Sequence, residues 1–180
     1  MNRRTFLTTS FAALGASASP AIGPIPRTGK PSFKLGLAAY SFREFFPYMR
    51  DKVVKPRAGH EPMDMFAFID FCAANGCEGA ELTAYFFPPN LTDDHLVKVR
   101  DHAKKRGIAI SGTAIGNVWT HPKGTPERDK EIASTKQWID YAAVMGAPHI
   151  RVFAGAAPKG VSLEDATANC IEAYKECCAY

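Results

Sequence analysis

The sequence predicts an α/β fold built on a parallel sheet. From residue 33 onward a short apolar segment and a longer amphipathic one alternate four times. Three times the helical segment ends on a glycine and the next apolar segment starts within about three residues, and such tight returns into near-continuous apolar strands belong to parallel sheets covered by helices.

Residues 33–42 (FKLGLAAYSF) are apolar and flanked by breakers, and read as the first strand. In residues 63–75, Met65, Phe66, Ile69 and Cys72 share one helical face. Gly76 stops that helix in the left-handed conformation that glycine adopts cheaply. Residues 77–85 (CEGAELTAY) form the second strand. Thr92 caps the next helix, with Asp93 and Asp94 complementing its dipole and Leu96, Val99 and Ala103 as its buried stripe. Asp94 with Lys98, and Asp101 with Lys105, stand at i,i+4 spacing on its wet face, and Gly107 closes it. Residues 108–116 (IAISGTAIG) are the third strand. Thr125-Pro126-Glu127 starts a third helix, which turns Ile132, Thr135, Ile139, Ala142 and Ala143 inward and ends at Gly146. Residues 149–155 (HIRVFAG) form the fourth strand, and Ser162-Leu163-Glu164-Asp165 opens a last helix.

Two architectures fit this alternation, a doubly wound open sheet and a closed (β/α) barrel. The turn after the first strand, Tyr40-Ser41-Phe42-Arg43, lacks the glycine fingerprint of a dinucleotide site, which weighs against a nicotinamide enzyme. Gly36, Ala38, Ala39, Gly79 and Ala80 suit the crowded interior of a barrel.

Residues 1–18 read as an export signal. Arg3 and Arg4 precede a short apolar stretch, Phe11 to Leu14, and Ala16-Ser17-Ala18 offers a small-residue cleavage site. The arginine pair resembles a twin-arginine address, which is read by a receptor and is no membrane anchor. The mature protein is expected outside the cytoplasm, in the periplasm or beyond. Residues 19–32, with four prolines and two glycines between Pro20 and Pro31, read as an extended linker. The net charge of +4, less the two leader arginines, leaves +2 and no basic stripe for nucleic acid. The five cysteines have neither zinc-knuckle spacing nor an even count, and are expected as reduced packing residues.

The strand ends carry more specific information. Glu78-Gly79-Ala80-Glu81-Leu82, Gly112-Thr113-Ala114-Ile115-Gly116-Asn117 and Ile150-Arg151-Val152-Phe153-Ala154-Gly155, in that order on successive strands, resemble the xylose isomerase-like TIM-barrel superfamily. The resemblance runs from about residue 35 to Tyr180 and implies a parallel (β/α) barrel of TIM type, with only the first four β/α units in residues 33–180. It implies a sugar or sugar-phosphate isomerase or epimerase. Such an enzyme moves a proton between adjacent carbons of a hydroxy-carbonyl substrate with a divalent metal (Mn, Mg, Co or Zn). The superfamily's metal ligands and proton-moving glutamates stand on strands five to eight, so the catalytic residues are expected beyond Tyr180, with no metal ligand in this half. The chain is then a fragment, inactive alone, unless a homo-oligomer of two copies closes the barrel. The resemblance also implies a small sugar-like substrate. The rival readings are a non-catalytic exported sugar-binding barrel and, on the same fold, an endonuclease for abasic DNA, which lacks its basic rim here.

In a barrel the carboxyl ends of the strands face the active site. That rule selects Tyr40 as a pocket wall, Glu81 as an acceptor for sugar hydroxyls or a partner of Arg151, and Asn117 as a hydroxyl binder. It also selects His121 in the third strand's loop, and Arg151 as a partner of Glu81 or a receptor for a substrate anion. His60 belongs to a long loop, residues 45–62, expected to act as a lid.

Overall fold

The computed structural model describes residues 33–180. The export signal and linker read in residues 1–32 lie outside the described residues.

Four parallel strands form one sheet: β1 (Gly36–Ala38), β4 (Gly79–Thr83), β5 (Ala109–Ala114) and β6 (Ile150–Arg151), adjacent in that order. Two short strands, β2 (Tyr48–Met49) and β3 (Lys52–Val53), form an antiparallel hairpin in the loop after β1. Helices α1 (Met65–Ala74), α2 (Asp93–Lys105), α3 (Pro126–Met145) and α4 (Leu163–Ala179) follow β3, β4, β5 and β6. This is the α/β arrangement of a partial TIM barrel. Each strand pairs with the next in parallel, and each crossover carries a helix.

Local signals start and stop the helices. Asp64 accepts from Ala67 N–H at 2.8 Å and caps α1, while Thr92, Thr125 and Ser162 cap α2, α3 and α4 in the same way. Gly76, Gly107 and Gly146 take φ of 73°, 73° and 72°, the left-handed returns that let each following strand begin at once.

Three elements differ from the sequence reading. The first strand covers only Gly36–Ala38, because the chain tightens into a 3-10 turn at Ala39–Phe42 as it crosses the sheet's end. The fourth is reduced to Ile150–Arg151; among the described residues it has a partner on one side only, so its continuation is held by loop contacts instead of a ladder. The loop of residues 45–62 contains the hairpin. Its turn residues Arg50 and Asp51 take φ of 50° and 64°, a conformation usually given to Asn-Gly, so the composition does not advertise it.

Alternation along β4 organises the interior. Ala80 and Leu82 point to the helices and join Phe68, Ile69, Leu96 and Val99 in the main core. Phe46, from the loop, stacks on Phe86 with centroids 4.4 Å apart and seals the same core from above. Burying one such ring contributes about 1.5–3 kcal/mol. A second, smaller cluster of Trp119, Ile132, Ala173 and Cys177 lies between α3, α4 and the β6 side.

The i,i+4 pairs foreseen on α2 are absent from the ion pairs formed among the described residues. Asp70 of α1 instead receives His102 Nε2 and Arg106 Nε, each at 2.8 Å, which ties α1 to α2. Asp101 pairs with Arg100 at 3.1 Å. All five cysteines are free, with Cys72 and Cys177 buried and Cys178 exposed.

Candidate functional site at the strand ends

The opposite face of β4 presents Gly79, Glu81 and Thr83 to the concave side of the sheet, because side chains alternate with period two. Register pairs Glu81 with Ala38 on one side and Gly112 on the other, so no large neighbouring side chain crowds its carboxylate. Ser111 is left unpaired on β5 opposite the step from Ala80 to Glu81, a bulge that bends the neighbouring strand beside Glu81. Glu81 Oε2 accepts from Thr83 Oγ1 at 3.0 Å. Its other oxygen, Oε1, is buried without a partner among the described residues. Burial pushes the Glu81 carboxyl above its ordinary 4.5, against the weaker pull of the Thr83 hydroxyl and the Arg151 charge.

Arg151 occupies the next row toward the mouth, in register with Ala114, which itself pairs with Thr83. It forms no ion pair with Glu81. Its Nη1 donates to Ile115 O at 3.0 Å and its guanidinium lies 4.0 Å from the Phe153 ring centroid. The side chain is exposed, although its sequence neighbours Ile150, Val152 and Phe153 are apolar. Its charge still reaches Glu81, and its remaining donors are free to meet an anionic or hydroxyl-bearing ligand.

Tyr40 lies in the 3-10 turn after β1, 47 % exposed, edge-on to Tyr85 at 6.3 Å. Asn117 is 5 % exposed and engaged with the backbone. Its Nδ2 donates to Phe153 O at 2.6 Å and its Oδ1 accepts from Phe153 N–H at 2.8 Å. That amide clamp replaces the missing ladder beyond β6, so Asn117 has a structural duty where hydroxyl binding was expected. His121 is partly exposed in the loop beyond Trp119 and forms neither a hydrogen bond nor an ion pair with Glu81 or Arg151. His60 packs edge-on against Phe45 at 5.1 Å, on the hairpin loop. The fold therefore brings Glu81 and Arg151 together on one face and leaves His121 apart.

Three residues at the strand ends escaped the sequence reading. Thr83 was legible, since two residues after Glu81 in a strand means the same face. Arg50 and Tyr85 were not: the hairpin places Arg50 Cζ 4.5 Å from the Tyr85 ring centroid, Arg50 Nη2 donates to Tyr85 Oη at 3.3 Å, and Arg50 N–H donates to Tyr85 O at 2.9 Å. Gly116 lets that tyrosine in, for a Cβ there would stand 2.9 Å from Tyr85 Oη. Among the described residues, no group of three His, Cys, Asp or Glu is suited to hold a metal.

Residues 69–180 match the xylose isomerase-like TIM barrel family. The chain belongs to that family. Solved structures of similar fold include a D-psicose 3-epimerase determined with D-fructose (TM-score 0.60, 18 % identity, covering 80 % of this chain and 47 % of that one). The D-psicose 3-epimerase of Clostridium cellulolyticum H10 with D-tagatose is similar at TM-score 0.62 and 14 % identity, over 82 % of this chain and 48 % of that one. The probable 3-DHS dehydratase AsbF of Bacillus anthracis follows at TM-score 0.55 and 17 % identity, over 82 % and 47 %. These likenesses are of fold. A comparison with curated proteins produced no match. The chain spans about half the length of the family structures it resembles.

Proposed function

We propose that this chain is the substrate-shaping half of an exported sugar isomerase or epimerase of the xylose isomerase-like family. The observation that carries the reading is the Glu81 carboxylate, desolvated on the concave face with one oxygen unpaired among the described residues, near an arginine that forms no ion pair among them. A buried acceptor of this kind is completed by a ligand hydroxyl. Arg151 and Tyr40 then frame a polyol with one charged and one aromatic side, as small-molecule sites do. Proton transfer and the divalent metal are assigned to residues outside this half, and residues 1–18 to export.

The test uses the protein with its second half-barrel present. Isomerase or epimerase activity should vanish with a chelator and return with Mn²⁺ or Mg²⁺, while substrate C–H hydrogen exchanges with solvent deuterium. Glu81→Gln should raise KM more than it lowers kcat, because it removes a binding acceptor and leaves proton transfer in place. A full-length protein that binds sugars tightly, turns none over and exchanges no hydrogen favours the non-catalytic barrel. Replacing Arg3 and Arg4 with lysine should leave the protein in the cytoplasm, and normal export of that variant would refute the twin-arginine reading.

A further inference from the structure

The most anomalous side chain lies in the helical layer, between α3 and α4. Arg128, in the first turn of α3, is 2 % exposed and the bulkiest of the fully buried side chains. Its Nη1 and Nη2 have no hydrogen-bond partner among the described residues. A guanidinium cannot relieve burial by losing its proton, so it must be met by an acceptor or remain a standing penalty.

Arg128 borders a cavity of about 340 Å³ together with Lys123, Asp129, Ile132, Lys136 and Glu176. Two of the carboxylates within reach, Glu172 and Glu176, are otherwise engaged, and Asp129, which also borders the cavity, forms no ion pair among the described residues. Glu176 accepts from Lys136 Nζ at 2.9 Å, and Glu172, on the same helix, accepts from Lys123 Nζ at 2.7 Å. Both pairs stand toward solvent, where such contacts are weak and easily exchanged. The Lys136 hydrogen bond lowers the Glu176 pKa, the Arg128 and Lys123 charges lower it further, and all three cations border the cavity. The amino-terminal turn of α3 adds its dipole to that field.

We infer that this cavity binds a phosphate group, with the Arg128 fork as its floor and Lys123 and Lys136 as its two sides. A planar guanidinium meets a phosphate through two parallel N–H donors, and the lysines supply mobile point charges around it. Entry displaces Glu172 and Glu176 from their lysines, which uncovers the Arg128 nitrogens. The occupant is either free inorganic phosphate or the head of a small phosphomonoester.

The protein is titrated with sodium phosphate and, separately, with glycerol 3-phosphate, at an ionic strength held constant with sodium chloride. Thermal unfolding and calorimetry report binding. A saturable rise in melting temperature with phosphate is expected. Arg128→Met keeps the length and removes the donors, and should weaken binding at least about tenfold. Where that variant fails to fold, Lys123→Met with Lys136→Met, confined to the rim, should weaken binding with the fold retained. Glu176→Gln should tighten binding by removing the competing carboxylate. Tighter binding of glycerol 3-phosphate identifies a phosphomonoester site, and tighter inorganic phosphate a site for the free ion. An equal response to chloride, or an undiminished phosphate response in the arginine and lysine variants, overturns the inference. So does a Glu176→Gln protein that is destabilised and gains nothing from phosphate, since Glu176 would then be the partner of Arg128 in solution.

Discussion

The sheet is covered differently over its interior strand β4 and its edge strand β6. Over β4 the core is closed on both faces of a helix layer, with Phe68, Leu82, Ile69 and Leu96 fully buried and Phe46 stacked on Phe86 above them. Beside β6 the buried cluster holds only Trp119, Ile132, Ala173 and Cys177, while Phe153 and Tyr174 remain 49 % and 55 % exposed. An apolar groove of about 300 Å³ runs between them, lined by Trp119, Val152, Ile171 and Tyr174. The difference shows that burial here depends on how many layers converge. The loop hairpin brings a third layer to β4, and no described element does so for β6.

The largest expected effect tests this contrast. Phe68→Ala opens a cavity in the closed core and should cost about 3–5 kcal/mol by urea unfolding. Tyr174→Ala on the open side should cost less than about 1 kcal/mol. Equal losses would mean that the groove is covered in solution. A smaller effect is expected from Asn117→Ala, which leaves the Phe153 N–H and carbonyl unpaired where a clamp replaces a strand; about 1–3 kcal/mol should be lost. Hydrogen exchange at Phe153 should quicken in the same variant.

Glu81 sharpens the comparison from the concave side. Its folded pKa lies above its unfolded value, so the folded state binds the extra proton. That contribution is fully present below the ordinary carboxylate range and is lost as pH rises through the folded pKa. Glu81→Gln should therefore be more stable than the parent at neutral pH, and the gap should narrow as pH falls toward 4.5. A gap independent of pH would place the carboxylate in water. The smallest effect is chemical. Burial, then Cys77, pushes the Cys72 thiol up to about 11, so Cys72 should resist alkylation at pH 8 in the folded protein while Cys178 reacts.

Much of this was legible from residue order. Helix starts at Thr92, Thr125 and Ser162 and left-handed stops at Gly76, Gly107 and Gly146 are local events, decided by a cap or a missing Cβ within one turn of chain. The parallel sheet follows from four strand–helix alternations punctuated by those signals, and the resemblance at the strand ends named the family. Glu81 was found because the barrel rule selects residues near the carboxyl end of a strand without tertiary information.

What only the tertiary structure decided is which polar groups meet. The Arg50 contact with Tyr85, the Asn117 clamp on Phe153 and the Asp70 link to His102 and Arg106 each join residues over 30 positions apart. The i,i+4 spacing on α2 pointed to local partners, but a neighbouring helix offered Asp70, and a contact fixed by packing outcompetes a solvated one. Arg128 shows the same limit most plainly. In sequence it is one cation on a helix rich in charge, and only the packing of α3 against α4 buries it and leaves two donors unmet. Local chemistry determines where the helices begin and end. Desolvation is a property of the assembled layers, and it determines which charged groups are left in need of a ligand.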